Sequence, residues 1–465
     1  MTIRSVLIAN RGEIAVRIIR AAKALGIRTV QIYSAADADM LAVRMADEAI
    51  NIGPPAAKKS YLNIDAIVRA ALQAKVDAIH PGYGFLSENG DFADAVRDAG
   101  MIFVGPDGDI IRLLGDKVAA RQVAVEAGLP TIPGSDGRVH DLGEAHEIAS
   151  RTGFPVMIKA AAGGGGRGIR IVNSFEELDR DFPLASAEAT SAFGDGTLYL
   201  EKVIARARHI EVQIFGDGEN VVHLFERECS LQRRRQKVWE EAPAVNLPPR
   251  IRSRLHASAV SLAKAVGYRG AGTVEFLYDE LAEEFYFIEV NTRIQVEHPV
   301  TEMITGIDLV QEMFKVAGGA KLSFSQNDVS VRGHAIECRI NAEDPARNFM
   351  PMPGKITRMV VPSGEAMRFD TMLFEGYTVP PFYDSLLGKL IVGGPTRADC
   401  LQALESALRE LIIEGVPTTL PLHIALSTDG NVQKGAVHTR FLEPWLESEE
   451  RFAIQPDCAD QSVPT

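Results

Sequence analysis

The chain has 465 residues, 46% of them hydrophobic and 24% charged, with a formal net charge of −13 and four cysteines. That length exceeds one ordinary core and predicts a globular enzyme of two or three domains. The acidic balance excludes broad nucleic-acid affinity, and no apolar run approaches the length of a membrane span. Cys229, Cys338, Cys400 and Cys458 are scattered without metal-ligand spacing, and MTIRSVLIAN enters a strand with no signal peptide ahead of it, so a reducing, cytoplasmic setting is expected.

Residues 4–105 alternate strand and helix. Residues 6–9 read as a short apolar strand ending at Asn10-Arg11-Gly12, after which Ile14, Ile18, Ala21 and Leu25 follow helical spacing. Residues 29–33, 78–80 and 102–104 read as further strands, with a helix over residues 91–99. This order predicts an α/β fold whose N-terminal part is a doubly wound parallel sheet. Pro81-Gly82-Tyr83-Gly84 ends one of these strands and reads equally as a ligand loop or a plain turn.

Residues 116–132 read as a helix closed by Gly128 and Pro130, with Lys117 in its first turn. Residues 133–204 carry their own strand–helix pattern and read as an inserted subdomain. Within it, Lys159 precedes AAAGGGGRG, where Gly163, Gly165 and Gly168 formally match GxGxxG. A dinucleotide fold wants that motif opening a helix at the first βα turn, whereas here the strand IRIV follows. A glycine loop between two strands can instead fold over phosphates with its N–H groups, Lys159 supplying a point charge. The absence of GxxxxGK[ST] excludes a P-loop NTPase.

Residues 198–204, LYLEKVI, are apolar on both sides of Glu201-Lys202, as a connection holding an adenine ring would be. In residues 209–215, Ile210, Val212 and Ile214 alternate with His209, Glu211 and Gln213, whose face reads equally as structural or ligand-facing. RECSLQRRRQKVWEE, residues 227–241, gathers five positive charges among carboxylates. A solvated patch is one reading. The acidic context favours an anion site with Lys237 as its point charge.

Residues 272–277 and 285–290 read as two strands of a hairpin. Glu289, Asn291 and Arg293 share one face of the second, and Glu275 of the first can lie opposite Glu289. Facing carboxylates repel unless a cation lies between them, and Mg²⁺ takes carboxylates together with substrate phosphates. A solvated strand face would more often carry Lys, Thr or Ser. The stretch FIEVNTRIQVEHPVTE continues with Gln295, Glu297, His298 and Glu302. In residues 331–447, His334, Ile336 and Cys338 alternate with Glu337, Arg339 and Asn341. A Gly/Pro-rich stretch, a helix over 397–411 and a turn at 412–415 follow, and from about 448 the chain reads as a polar tail.

Six stretches together resemble the biotin carboxylase family of ATP-grasp ligases: ANRGEIAVRIIRAA from Ala9, HPGYGFLSEN from His80, KAAAGGGGRGIR from Lys159, CSLQRRRQKVWEEAP from Cys229, EVNTRIQVEHPVTE from Glu289 and ECRINAEDP from Glu337. The resemblance runs from residue 4 to about 447. It implies an N-terminal Rossmann-like domain over 1–115, an ATP-grasp domain over 116–330 with a mobile lid subdomain at 133–204, a C-terminal biotin carboxylase domain over 331–447, and a tail at 448–465. The implied cofactors are ATP and Mg²⁺ or Mn²⁺, with biotin as a carrier-bound substrate. Lys117 and Lys159 would contact ATP phosphates under a lid of Gly164, Gly165 and Gly166. Glu201, Lys202, Ile204, His209, Gln232 and Leu277 would hold adenine and ribose. Glu275, Glu289 and Asn291 would carry the metal. Lys237, Arg293, Gln295 and the Val296 backbone would hold bicarbonate, and Glu297 would be its general base as it attacks the γ-phosphate to give carboxyphosphate. That intermediate yields CO₂ and phosphate, N1 of biotin is carboxylated, and Arg339 stabilises the biotin enolate.

Two positions depart from the family pattern. Arg235 stands where the family usually has His, in QRRHQK, and Val290 replaces the Met of EMNTR. On a strand Arg235 would share a face with Lys237, so it is expected to reach the nucleotide. Nothing after residue 447 resembles a biotin carrier. The expectation is therefore a stand-alone homodimeric subunit serving a biotin carboxyl carrier protein and carboxyltransferase subunits, most commonly in acetyl-CoA carboxylase and fatty acid biosynthesis. Propionyl-CoA, pyruvate and urea carboxylases share these motifs. A carboxylate–amine ligase of the ATP-grasp class does not require Arg339 and Lys237 together with RIQVEHP, and a non-catalytic nucleotide-binding subunit would not require Glu297.

Overall fold

The computed structural model describes residues 2–135, 137–160 and 169–448. The run Gly164 to Gly166 and the tail beyond residue 448 lie outside them. Among the described residues no helix is long and apolar enough to cross a membrane.

Five parallel strands form the N-terminal sheet, in the order β3-β2-β1-β4-β5. Their bounds are β1 Ser5–Ile8, β2 Arg28–Ser34, β3 Glu48–Gly53, β4 Ala78–His80 and β5 Ile102–Phe103. Helix α1, Gly12–Ala24, buries nearly all of its residues against this sheet and its neighbours. The sequence pattern misses β3, a partly exposed edge strand without clean alternation. The strand order reverses between β1 and β4, the crevice where open α/β sheets bind ligands. The Pro81–Gly84 turn lies there. At Gly82, φ is +66°, and a Cβ would come within 2.9 Å of Asn10 Nδ2. That amide donates to the Pro81 carbonyl at 2.6 Å and the Tyr83 carbonyl at 2.7 Å. Glycine is required for both the left-handed backbone and the close approach.

Helix α2, Lys117–Glu126, is capped by Asp116, which accepts from Val118 and Ala119 N–H. It stops six residues short of the expected 132, because Gly128 turns with φ +80° and Pro130 cannot continue a helix. The next segment is instead pulled onto the main sheet, where Phe287 N–H donates to the Pro130 carbonyl at 2.8 Å. Strands β6 Val156–Ala160, β7 Ile169–Val172 and β8 Leu198–Lys202 then form a separate three-stranded sheet in the order β7-β6-β8. Its own core includes Val156, Ile158, Leu178, Leu198 and Leu200. Strands β6 and β7, on either side of the glycine run, pair antiparallel.

The centre of the molecule is one eight-stranded antiparallel sheet, β13-β12-β9-β10-β11-β14-β16-β15. Its strands are β9 Ala207–Asp217, β10 Val221–Arg233, β11 Gln236–Ala242, β12 Arg269–Asp279, β13 Glu284–Asn291, β14 His334–Asn341, β15 Met367–Thr371 and β16 Leu386–Gly394. The pairing of β11 with β14 carries the sheet across residue 330. Ile210, Val212, Ile214, Val274 and Phe276 pack on one face with Leu255, Ala259 and Leu262 of helix α3, Pro249–Ala265. The opposite face, carrying His209, Glu211, Gln213 and Glu275, is buried as well. Helix α4, His298–Thr305, starts directly after Glu297.

The turn expected at 412–415 is corrected. Residues Ile412–Glu414 form a strand paired with Arg358–Val360. Two β-branched isoleucines favour a strand, and their partner lies too far upstream to leave a local signal.

Candidate functional site

The polar face of the large sheet builds the site row by row. Glu289 on β13 faces Glu275 on β12, Glu275 faces Glu211 on β9, and Glu211 faces Arg227 on β10. Three carboxylates and one guanidinium therefore stand abreast on four neighbouring strands. Arg227 is fully buried and spends its donors on Glu211 at 2.6 Å, Gln213 at 2.6 Å, Gln295 at 2.8 Å, Thr301 at 2.9 Å and Thr273 at 3.1 Å. Such a fully satisfied guanidinium is a rigid floor.

Lys237, on β11, places its ammonium inside the row. It lies 2.5 Å from Glu211, 2.9 Å from Glu275 and 2.6 Å from Glu297. The second oxygen of Glu297 accepts from Arg339 Nη2 at 3.0 Å, and Glu240 holds the same guanidinium at 2.5 Å. Glu297 is 2% exposed, so its charge is kept by these two cations. Arg293, just past β13, bonds Asn291 Oδ1 at 3.0 Å and Glu88 at 3.0 Å. Gln295 donates to Glu275 at 2.9 Å, and the Val296 carbonyl accepts from Lys389 at 2.7 Å.

Burial opposes ionisation throughout this cluster, and the neighbours decide the outcome. Burial works against Glu297 and Glu275, yet Lys237 overrides it in both, helped by Arg339 at Glu297 and by His209 at Glu275. Both carboxyls lie below their usual range. His209 loses by burial and gains more from Glu275 and Glu211, ending near 9. Glu289 goes the other way: burial and then the charge of Glu275 push it up. Burial lifts Glu240 to about 7 in spite of Arg339. A facing pair with one carboxyl pushed down and the other pushed up is short of positive charge.

At the other end, Lys159 on β6 pairs with Glu201 on β8. Lys202 is exposed and Ile204 half-buried just beyond. Leu277 on β12 faces His209 across the sheet, and buried Gln232 donates to the Cys229 carbonyl at 2.8 Å. Lys117 is exposed in the first turn of α2, with its charge acting on Glu289. The expectation for Arg235 is corrected. Gln232 pairs with Lys237 and Arg233 with Gln236, so Arg234 and Arg235 form the two-residue tip of the β10–β11 hairpin, with φ of 47° and 68°. Arg235 is exposed there and shares no strand face with Lys237.

The family described as biotin carboxylase, N-terminal domain, matches residues 2–111, and the biotin carboxylase C-terminal domain matches 337–444. Between them, the ATP binding domain of the carbamoyl-phosphate synthase L chain matches 116–325. A biotin carboxylase of Haemophilus influenzae is 52% identical over 446 residues, 96% of this chain and 99% of that one. The chain belongs to the biotin carboxylase family. Within this family of ATP-dependent ligases, a pyruvate carboxylase subunit of Methanothermobacter thermautotrophicus is 48% identical, over 97% of this chain and 92% of that one. The solved biotin carboxylase domain dimer of Hydrogenobacter thermophilus 2-oxoglutarate carboxylase, complexed with MgADP, ADP and bicarbonate, superposes with a TM-score of 0.89 at 48% identity. The match covers 96% of this chain and 98% of that one.

In this biotin carboxylase fold the chemistry of Glu275, Glu289 and Asn291 fits a hard divalent cation. The set offers oxygen ligands only, and Glu289 is a carboxyl that burial and the facing Glu275 leave short of positive charge. Several members of the cluster escape a reading of the sequence. Glu211 is legible as a polar position alternating with buried isoleucines, and Arg227 as part of the basic run. Glu240, Glu13 and Glu88 lie in stretches already singled out, but nothing local shows that they meet the site, and Lys389 lies in none of them; they arrive from a strand, a helix, a loop and a further strand.

Proposed function

We propose that this chain carboxylates biotin with ATP and bicarbonate, through carboxyphosphate. The observation that carries this reading is Glu297, buried and gripped between Lys237 and Arg339 beside the carboxylate row. A carboxylate kept ionised by two fixed cations can take the proton of bicarbonate as its oxygen attacks the γ-phosphate. Lys237, Arg293, Gln295 and the Val296 backbone hold the anion. Lys117, Lys159 and the Gly164–Gly166 lid hold the ATP phosphates, and Glu201, Lys202, Ile204, His209, Gln232 and Leu277 hold adenine and ribose. Glu275, Glu289 and Asn291 hold Mg²⁺ or Mn²⁺, which when bound neutralises phosphate charge. Carboxyphosphate then breaks into CO₂ and phosphate, the phosphate takes the N1 proton of biotin, Arg339 stabilises the resulting enolate, and N1 attacks the CO₂.

Domain bounds at 1–115, 116–330 and 331–447 accompany this reading, as do a homodimer and a biotin carboxyl carrier protein with carboxyltransferase subunits as partners. The setting we favour is the first half-reaction of acetyl-CoA carboxylase in a reducing cytoplasm, supported by the buried free thiols of Cys229, Cys338 and Cys400. The deciding experiment measures ATP cleavage with bicarbonate, with and without free biotin, and carboxybiotin from labelled bicarbonate. Bicarbonate-independent cleavage without carboxybiotin would sink the reading. Pairing the chain with biotinylated carriers from acetyl-CoA, pyruvate and propionyl-CoA carboxylases decides the acceptor.

A further inference from the structure

Lys389 is a fully buried lysine on β16, between Arg339 on β14 and Asp370 on β15. A buried ammonium persists only where partners replace its water. Here the partners come from two other parts of the fold. Nζ donates to the Val296 carbonyl at 2.7 Å and pairs with Glu13 of α1 at 3.1 Å. Glu13 is itself held by the Tyr83 hydroxyl, which donates to it from the turn after β4. One ammonium thus ties the N-terminal sheet unit and the C-terminal strands to a single peptide of the central unit.

That peptide matters because it is rigid. The Val296 carbonyl lies in one plane with the Glu297 nitrogen and Cα. Fixing the carbonyl fixes the point from which the Glu297 side chain reaches Lys237 and Arg339. We propose that Lys389 is a positioning residue for carboxylation: it holds the Val296–Glu297 peptide in place, and with it the base and the adjoining anion contact. This inference rests on the reading of Glu297 as the base.

The test compares wild type with Lys389→Met and with the double variant Glu13→Gln/Lys389→Met, which leaves neither buried charge unpaired. Bicarbonate-dependent ATP cleavage gives kcat and both KM values, and nucleotide fluorescence gives ATP affinity independently. In both variants kcat is expected to fall about tenfold or more, since small displacements of a reacting group cost that much. The KM for bicarbonate should rise, while ATP affinity stays within about twofold, because the residues assigned to adenine and phosphate do not touch Lys389. Should Lys389→Met fail to fold, the double variant carries the test. A double variant with wild-type kcat overturns the proposal. So does a loss of ATP affinity in step with kcat, which marks general loosening. Wild-type chain without bicarbonate-dependent cleavage overturns the reading of Glu297 first, and this inference with it.

Discussion

Glu297 and Glu289 are both carboxylates of one site, yet their surroundings set them opposite tasks. Glu297 is held ionised by Lys237 and Arg339, so Glu297→Gln should leave ATP affinity intact and lower bicarbonate-dependent cleavage by roughly 10²- to 10⁴-fold. A loss under about threefold would move the base elsewhere. Glu289 is pushed up by burial and by Glu275 opposite. Glu289→Gln relieves that repulsion, so the metal-free protein should gain roughly 0.2–1 kcal/mol in urea unfolding. The same change should cut Mg²⁺-dependent turnover by orders of magnitude. A variant that turns over normally removes Glu289 from the metal set. Arg235 stands at an exposed left-handed turn position, a backbone that His adopts more readily than Arg. Arg235→His should change the KM for ATP by less than about twofold, as exposed substitutions generally do. A larger change would show that the tip folds onto the nucleotide.

At the level of strands, the period-two pattern of β9, β12 and β13 is readable because it is a property of chain neighbours. Which face is covered is not, because the cover comes from the segment around Gln295 and from helix α4, whose Thr301 meets Arg227. The β10–β11 tip misleads for a related reason. Two-residue hairpins favour Asn-Gly, and QRRRQK has no such signal. The tip is held by distant contacts instead: Arg234 N–H donates to Glu443 at 2.8 Å, and Arg233 lies 3.9 Å over the Phe349 ring. The β9–β12 pairing allows a direct test. At Gly216 a Cβ would lie 2.2 Å from the Tyr268 carbonyl oxygen. Gly216→Ala must push the strands apart and should cost about 1–3 kcal/mol in urea unfolding. ATP affinity should weaken too, since His209 and Glu211 ride on the same strand. Unchanged stability would mean that the backbone yields freely there.

Across the whole molecule, buried charges tie its parts together. Arg17 of α1 meets Glu302 of α4 at 2.7 Å and Asp308 at 2.6 Å, and Arg368 of β15 meets the other Glu302 oxygen at 2.6 Å. Several buried histidines oppose acid. Burial pushes His80 down to about 3 and His423 to about 4, and holds His298 well below its ordinary value. Their folded values lie below the unfolded 6.5, so the unfolded chain binds more protons as pH falls. Their contribution is complete above pH 6.5 and is lost as pH drops towards 4, by about 1.4 kcal/mol per pH unit for each group. Raised carboxyls such as Glu240 act in the opposite direction over the same range, so the rings are isolated by comparison: the urea midpoint of His423→Gln should fall less steeply between pH 6.5 and 5 than that of the wild type. An unchanged slope would mean that this ring is charged in the fold. The α/β order, the hairpin with facing Glu275 and Glu289, and the family could all be read from the amino acids alone, because each is written in residues close along the chain. The place of Lys237 among three carboxylates, the position of Arg235 at an exposed hairpin tip, and the reach of Lys389 to Val296 emerge only once the chain is folded. Lys237 and Glu297 are 60 residues apart and Lys389 and Val296 are 93 apart, so their meeting depends on strand order and burial that no local pattern encodes.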